Sequence, residues 1–258
     1  MTDTTADRIA ARAAADDLHR VAESTELLLH TVAGLEPAAL FEPSALPGWT
    51  RGHVLAHLSR NADSLVNLLE SARTGVDIPQ YASAEAREQG IQDGAGRPLE
   101  EQLADLRRSH ERFLAAAADL PDGAWQAQLR HRAGYLFPAH QLPFKRLAEV
   151  EYHHVDLAAG HTPAHWPEPF AAAEFPRLAE LFRTAEGVPA AVLVAEDVEL
   201  REHLGPAGGG PELTVEGPVR ALTGWLSGRS DGDGLQVHRG GEQLTDPRAA
   251  LPRLPAMG

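Results

Sequence analysis

The chain contains no cysteine in 258 residues. That excludes disulfides, thiolate metal ligands and a cysteine nucleophile of its own. Thiol chemistry stays open, because a bound cofactor can supply the sulfur. Aromatic residues are scarce at 5%, which gives no support for a stacking platform for nucleobases. Positive charge is also in deficit. With 23 Lys and Arg against 37 Asp and Glu, the net charge is -14, and a nucleic-acid partner bound through a broad basic surface is disfavoured. A local cationic pocket for a small anion remains compatible with this balance. No apolar run approaches the roughly 18 residues of a membrane span, and the N-terminal MTDTTADRIAARAAADD lacks the apolar core of a signal peptide. A cytoplasmic protein is expected.

Hydrophobic residues make up 43% of the chain, enough for one large or two modest domains. Residues 5–160 have helical texture. Apolar positions recur at helical spacing through Ile9, Leu18, Val21, Leu27, Leu28 and Val32, with a break at Gly34. A second helix is expected from Thr50 through Val54, Leu58, Leu65 and Leu69, followed by a loop over TGVDIPQYAS. A third spans Leu99 to Ala118, stopped by PDG, and a fourth runs from Pro143 to Ala159 with Gly160 as its cap. The proline-rich HTPAHWPEP, residues 161–169, reads as a linker. Beyond it, AAAEFPRLAELFRTA and VRALTGWLSGR suggest helices, whereas AAVLVA, ELTVEG and LQVHR suggest strands. GPAGGGP reads as a flexible turn, since no Gly-Lys-Ser/Thr follows it. The expected fold is mixed α plus α/β: a four-helix bundle over residues 1–160 and a small α+β domain over 170–258.

Within EVEYHH, only Glu149 and His153 form a Glu-to-His pair four residues apart, since Glu151 is followed by Val155 at that distance. Such residues share one helix face and can point at a common atom. His53 lies far upstream in GWTRGHVLAHL, near the start of the second helix, and forms an i,i+4 pair of its own with His57. Two imidazoles and a carboxylate make a ligand set known from catalytic zinc sites with an open fourth position. Bundles commonly build metal sites from inward side chains of different helices. Asp156, three residues past His153, could orient its imidazole. The blander reading of each is a surface helix pair or a surface charge.

LPGWTRGHVLAHLSRNADSLVNLL followed later by KRLAEVEYHHVDLAAG resembles the mycothiol-dependent maleylpyruvate isomerase family, within the wider DinB-like group of metal-binding four-helix bundles. The similarity extends through TGVDIPQYASAEAREQGI and VEGPVRALTGWLSGRSDG. The resemblance implies zinc held by His53, Glu149 and His153, and mycothiol as the thiol cofactor. It also implies a substrate-anchoring arginine in the Gly-Arg pair after a helix, which is Arg229 here. Arg87 is a second candidate cation. His57 and Asn61 continue along the face of His53 as candidates to line the cofactor cavity; the alternative for each is packing or capping. The activity implied is isomerisation of maleylpyruvate to fumarylpyruvate by thiolate addition, bond rotation and elimination. The expected partners are a dianionic small molecule and a thiol cofactor, with no nucleic acid or membrane, and the protein is expected to be a monomer. A mycothiol S-transferase acting on another electrophile shares these ligands, and a non-catalytic metal- or small-ligand-binding protein is the reading from another class.

Overall fold

A run of small and apolar residues at three- and four-residue spacing, with no glycine or proline, carries helix α1 over Thr5–Ala33. Its buried stripe is Ala10, Ala14, Val21, Thr25, Leu28, Leu29 and Val32. Ile9 and Leu27, counted in the periodicity, instead face outward. The computed structural model describes residues 5–206 and 213–255.

Helix α2, Arg51–Thr74, starts with a capping box between Thr50 and His53 and ends at Gly75 in the left-handed conformation (φ 74°). Two glycines then let a short helix, α3 (Ala84–Ala95), lie against it. A Cβ on Gly52 would sit 2.3 Å from the Ala95 carbonyl oxygen, and one on Gly94 would sit 2.6 Å from the Ala56 Cβ. Helix α4 follows over Leu99–Ala118. Strands β1 (Gln128–Arg130) and β2 (Leu136–Pro138) form an antiparallel hairpin before helix α5, Leu142–Asp156. α1 packs on α5, and α2 packs on α3, α4 and α5. The four long helices α1, α2, α4 and α5 are the expected bundle; α3 and the hairpin are additions to it. α5 also stops earlier than expected. Its C-cap is Leu157, and Ala158 takes a positive φ of 51° before Gly160 is reached.

The chain divides into two compact units, Met1–Ala159 and Gly160–Gly258. HTPAHWPEP, expected as a linker, is packed structure within the second unit. Trp166 is fully buried and meets Phe170 edge to face at 5.5 Å, and its carbonyl accepts from Arg220 Nε at 2.6 Å.

In that unit, helix α6 (Glu168–Phe182) precedes a five-stranded sheet with the order β4-β3-β5-β6-β7. The strands are β3 Ala191–Ala195, β4 Leu200–Leu204, β5 Leu213–Gly217, β6 Gln236–Arg239 and β7 Glu242–Gln243. β3 and β5 are parallel and the other pairs are antiparallel. Helix α7 (Val219–Leu226) and one turn, α8 (Pro247–Ala250), complete it. Phe175, Phe182, Leu193, Val215, Leu222 and Val237 form its core. β4, with its charged LREHL, has no apolar alternation to announce it. Most of GPAGGGP, the expected flexible turn, lies outside the described residues.

Candidate metal centre

Helices α2 and α5 bring His57, Glu149 and His153 together. One ligand atom from each lies within 4.8 Å of the other two, and this is the one such trio of His and acidic residues among the described residues. Glu149 Oε2 is 3.0 Å from His57 Nε2 and 3.3 Å from His153 Nε2. A tetrahedral zinc with bonds of about 2.0–2.1 Å spaces its ligands roughly 3.3 Å apart. The donor set therefore fits that metal in both spacing and chemistry. The rings of His57 and His153 meet edge-on at 4.6 Å, with Trp49 5.5 Å from His57.

Sequence reasoning placed His53 in this set, and the structure puts it elsewhere. His53 is the N3 residue of α2. Its Nδ1 accepts from the Thr50 backbone N–H at 3.2 Å and lies 2.8 Å from Thr50 Oγ1, while Nε2 faces Gln92 Oε1 at 3.2 Å. His57 stands one turn deeper, where α2 packs on α5. The two histidines share a helix face, so spacing did not separate them. The capping-box pattern, Thr followed three residues later by a hydrogen-bonding side chain, was the available signal that His53 was already engaged.

The second nitrogen of each histidine has its own neighbour. His153 Nδ1 lies 2.8 Å from Asp156 Oδ2, the carboxylate–histidine arrangement that orients metal ligands. Burial works against a charge on His153, but hydrogen bonds to Asp156 and Glu149 outweigh it, and its pKa is raised. Burial also lowers the pKa of His57, assisted by the charges of His153 and Arg87 and only partly opposed by Glu149. For Glu149, burial raises the pKa, yet the bonds from His153 and His57 win and hold the carboxyl well below its usual range. These shifts favour the charged form of His153 and the neutral form of His57, whose Nε2 atoms both face Glu149 Oε2.

Arg87 and Asn61 flank the trio differently. Arg87 Nη2 is 3.4 Å from His57 Nδ1, and its guanidinium lies 6.0 Å over the Tyr81 ring. It also lines a cavity of about 280 Å³ with Arg60, Asp63, Asn67, Gln80 and Tyr81. Asn61 Oδ1 accepts at 2.8 Å from Arg146 Nη1, which also donates to the Leu58 carbonyl at 2.9 Å. Arg146 is completely buried, and burial pulls its pKa down to about 10. Sequence reasoning did not single it out. Arg229 belongs to the second unit, just after Gly228 (φ 72°), with its backbone N–H on the Gly224 carbonyl at 2.9 Å and Nη1 on the Ser227 carbonyl at 2.8 Å.

The sequence profile of the mycothiol maleylpyruvate isomerase N-terminal domain matches residues 21–158, more than half of the chain and all three residues of the trio. The chain belongs to this family. The crystal structure of a mycothiol-dependent maleylpyruvate isomerase superposes with a TM-score of 0.79 at 28% sequence identity, covering 91% of this chain and 95% of that one. A mutant of that isomerase with one histidine changed to alanine gives 0.79 at 27%, with the same coverage. Comparison with curated protein sequences gives no significant match. The family match lies within the first unit, and the structural likeness, at 91% coverage, extends into the second. Among the described residues, no helix is long and apolar enough to cross a membrane.

Proposed function

We propose that this chain is a zinc- and mycothiol-dependent isomerase that converts maleylpyruvate to fumarylpyruvate. The observation that carries the reading is the His57–Glu149–His153 trio, with ligand spacing suited to zinc, in a chain of this family. Zinc, when bound, would lower the pKa of a thiol at the position the protein leaves open. The reaction class is addition of the thiol sulfur to the cis double bond, rotation about the resulting single bond, and elimination to the trans isomer.

The chain's own residues have definite tasks in this reading. His57, Glu149 and His153 hold the metal through Nε2, Oε2 and Nε2, and Asp156 fixes the ring of His153. Asn61 acts through Arg146, and His53 secures the start of α2. Arg87 lies beside His57 and lines the neighbouring cavity, and in this reading it meets the thiol cofactor. Arg229 serves as the substrate-anchoring cation, since a planar guanidinium pairs well with a carboxylate. A cytoplasmic monomer is part of the proposal, and a size measurement in solution tests the latter.

The deciding experiment measures bound zinc, then follows maleylpyruvate isomerisation with and without mycothiol. Thiol-dependent turnover by zinc-loaded protein supports the reading. Stoichiometric zinc without isomerisation defeats it, and conjugation of mycothiol to another electrophile would then assign an S-transferase.

A further inference from the structure

One basic residue outside the proposed machinery is singular. The sequence contains a single lysine, Lys145, while every other cationic residue among the 23 is arginine. That lysine lies on α5 four residues before Glu149, which itself lies four before His153. Lys145, Glu149 and His153 thus form one continuous stripe of the helix, each Cβ about 5–6 Å from the next.

The β1–β2 hairpin holds the ammonium in place. Lys145 Nζ donates to Tyr135 Oη at 3.1 Å, lies 4.7 Å from the centre of the Phe137 ring and 5.3 Å from that of Tyr135. His131 stacks on Tyr135, with ring centres 4.4 Å apart. Burial first, then the charges of Lys145 and Arg132, hold the His131 pKa down near 4, with Glu149 acting in the opposite direction. Through Tyr135 and Phe137 the hairpin thus rests on the same helix that carries Glu149 and His153.

Lys145 has π faces and a phenol for neighbours, yet no carboxylate within ion-pair distance among the described residues. This is unusual in a chain with a net charge of -14, where Arg51, Arg60, Arg73 and Arg112 each bridge to an acid. Aromatic faces attract an ammonium without neutralising it. The site offers a half-exposed positive charge, held by Tyr135 and Phe137, one helical turn from Glu149.

We propose that Lys145 anchors a carboxylate of the substrate, as a specificity-determining residue within the helical unit. The inference rests on the proposed reading of a dianionic substrate, and it supplies a carboxylate-binding cation from the helical unit itself. The hairpin shelf then does more than staple the chain: it presents the charge at a fixed height above α5.

The test separates charge from packing. Lys145→Met keeps the stem against Phe137 and removes the charge, while Lys145→Arg keeps a cation. With zinc content unchanged, Lys145→Met should raise KM for maleylpyruvate about 10- to 100-fold, as expected for loss of a charge-assisted contact, and Lys145→Arg should restore part of it. An unchanged KM in Lys145→Met would overturn the proposal. A second measurement uses the wild-type chain and needs no turnover. Because Lys145 is the only lysine, amine acylation at that residue can be followed by peptide mass analysis. Maleate should slow it and acetate should slow it less; equal rates with and without maleate would overturn the anchor. Wild-type protein inactive towards maleylpyruvate would defeat the functional reading, and the acylation experiment would still judge the anion site.

Discussion

Asp156 and His153 are joined at 2.8 Å, carboxylate oxygen to Nδ1, on the last turn of α5. The bond fixes the imidazole with Nε2 towards Glu149, so the geometry of one proposed metal ligand is set by a residue outside the trio. Replacing Asp156 with Asn keeps the shape and removes the negative charge. Zinc affinity should fall about 10- to 100-fold, the usual cost of losing such a partner, measured by competition with a chromogenic chelator. Unchanged affinity would show that helix packing alone orients His153.

The choice between the two histidines of α2 gives a sharper contrast. His57→Ala should abolish stoichiometric zinc, because His57 is the residue that α2 contributes to the trio. His53→Ala should retain zinc and instead lose the capping box at Thr50, at a cost of about 0.5–2 kcal/mol in stability. Metal analysis and thermal melts of the two variants decide the matter. Loss of zinc in His53→Ala with zinc kept in His57→Ala would reverse the assignment.

The long helices were legible because each buries a large apolar stripe, and Glu149 with His153 was legible because a helix converts spacing directly into geometry. Helix α3 was not, since it packs through Ile91, Gly94 and Ala95, and small residues at a close helix crossing leave no hydrophobic period. The β1–β2 hairpin is three residues a side, too short for alternation to register. The exchange of His57 for His53 has a different origin. Residues on one face of one helix differ only in depth, and depth is fixed by where α5 crosses, which is a tertiary fact. Arg146 was hidden for the same reason, since nothing in KRLAEVEYHH distinguishes a buried arginine from a surface one.

Arg146 carries a prediction of its own. Its Nη1 ties α5 to the Leu58 carbonyl and Asn61 of α2, and its charge lies within electrostatic reach of Glu149. Arg146→Met leaves two acceptors without their donor and removes one of the positive charges near Glu149. The metal-free protein should lose about 2–5 kcal/mol of stability. Zinc supplies positive charge at the same carboxylate, so the zinc-loaded variant should lose less, and its zinc affinity should not weaken. Calorimetric melts with and without zinc test this. Equal losses in the two states would show that Arg146 acts only as a strut.

Acidity should act on the metal-free protein and on metal binding with opposite signs. His153 has a raised pKa, so as pH rises through that value the metal-free protein loses the stabilisation of the charged ring between Asp156 and Glu149. Zinc must displace the same proton, so affinity should climb about tenfold per pH unit below that pKa and level off above it. Glu149 adds no competition in this range, because its carboxyl stays ionised. His57, with a lowered pKa, adds a second proton only under more acidic conditions. It makes a different demand. Nε2 can bind a metal only if the ring proton moves to Nδ1, and that nitrogen then faces the Arg87 guanidinium, which has donors only. Zinc loading should therefore turn Arg87 away from His57 and into the cavity it lines. Chelator competition across pH, together with a structure of the zinc-loaded protein, checks both parts. Affinity independent of pH through the neutral range would refute the charged His153, and an unmoved Arg87 would refute the tautomer change.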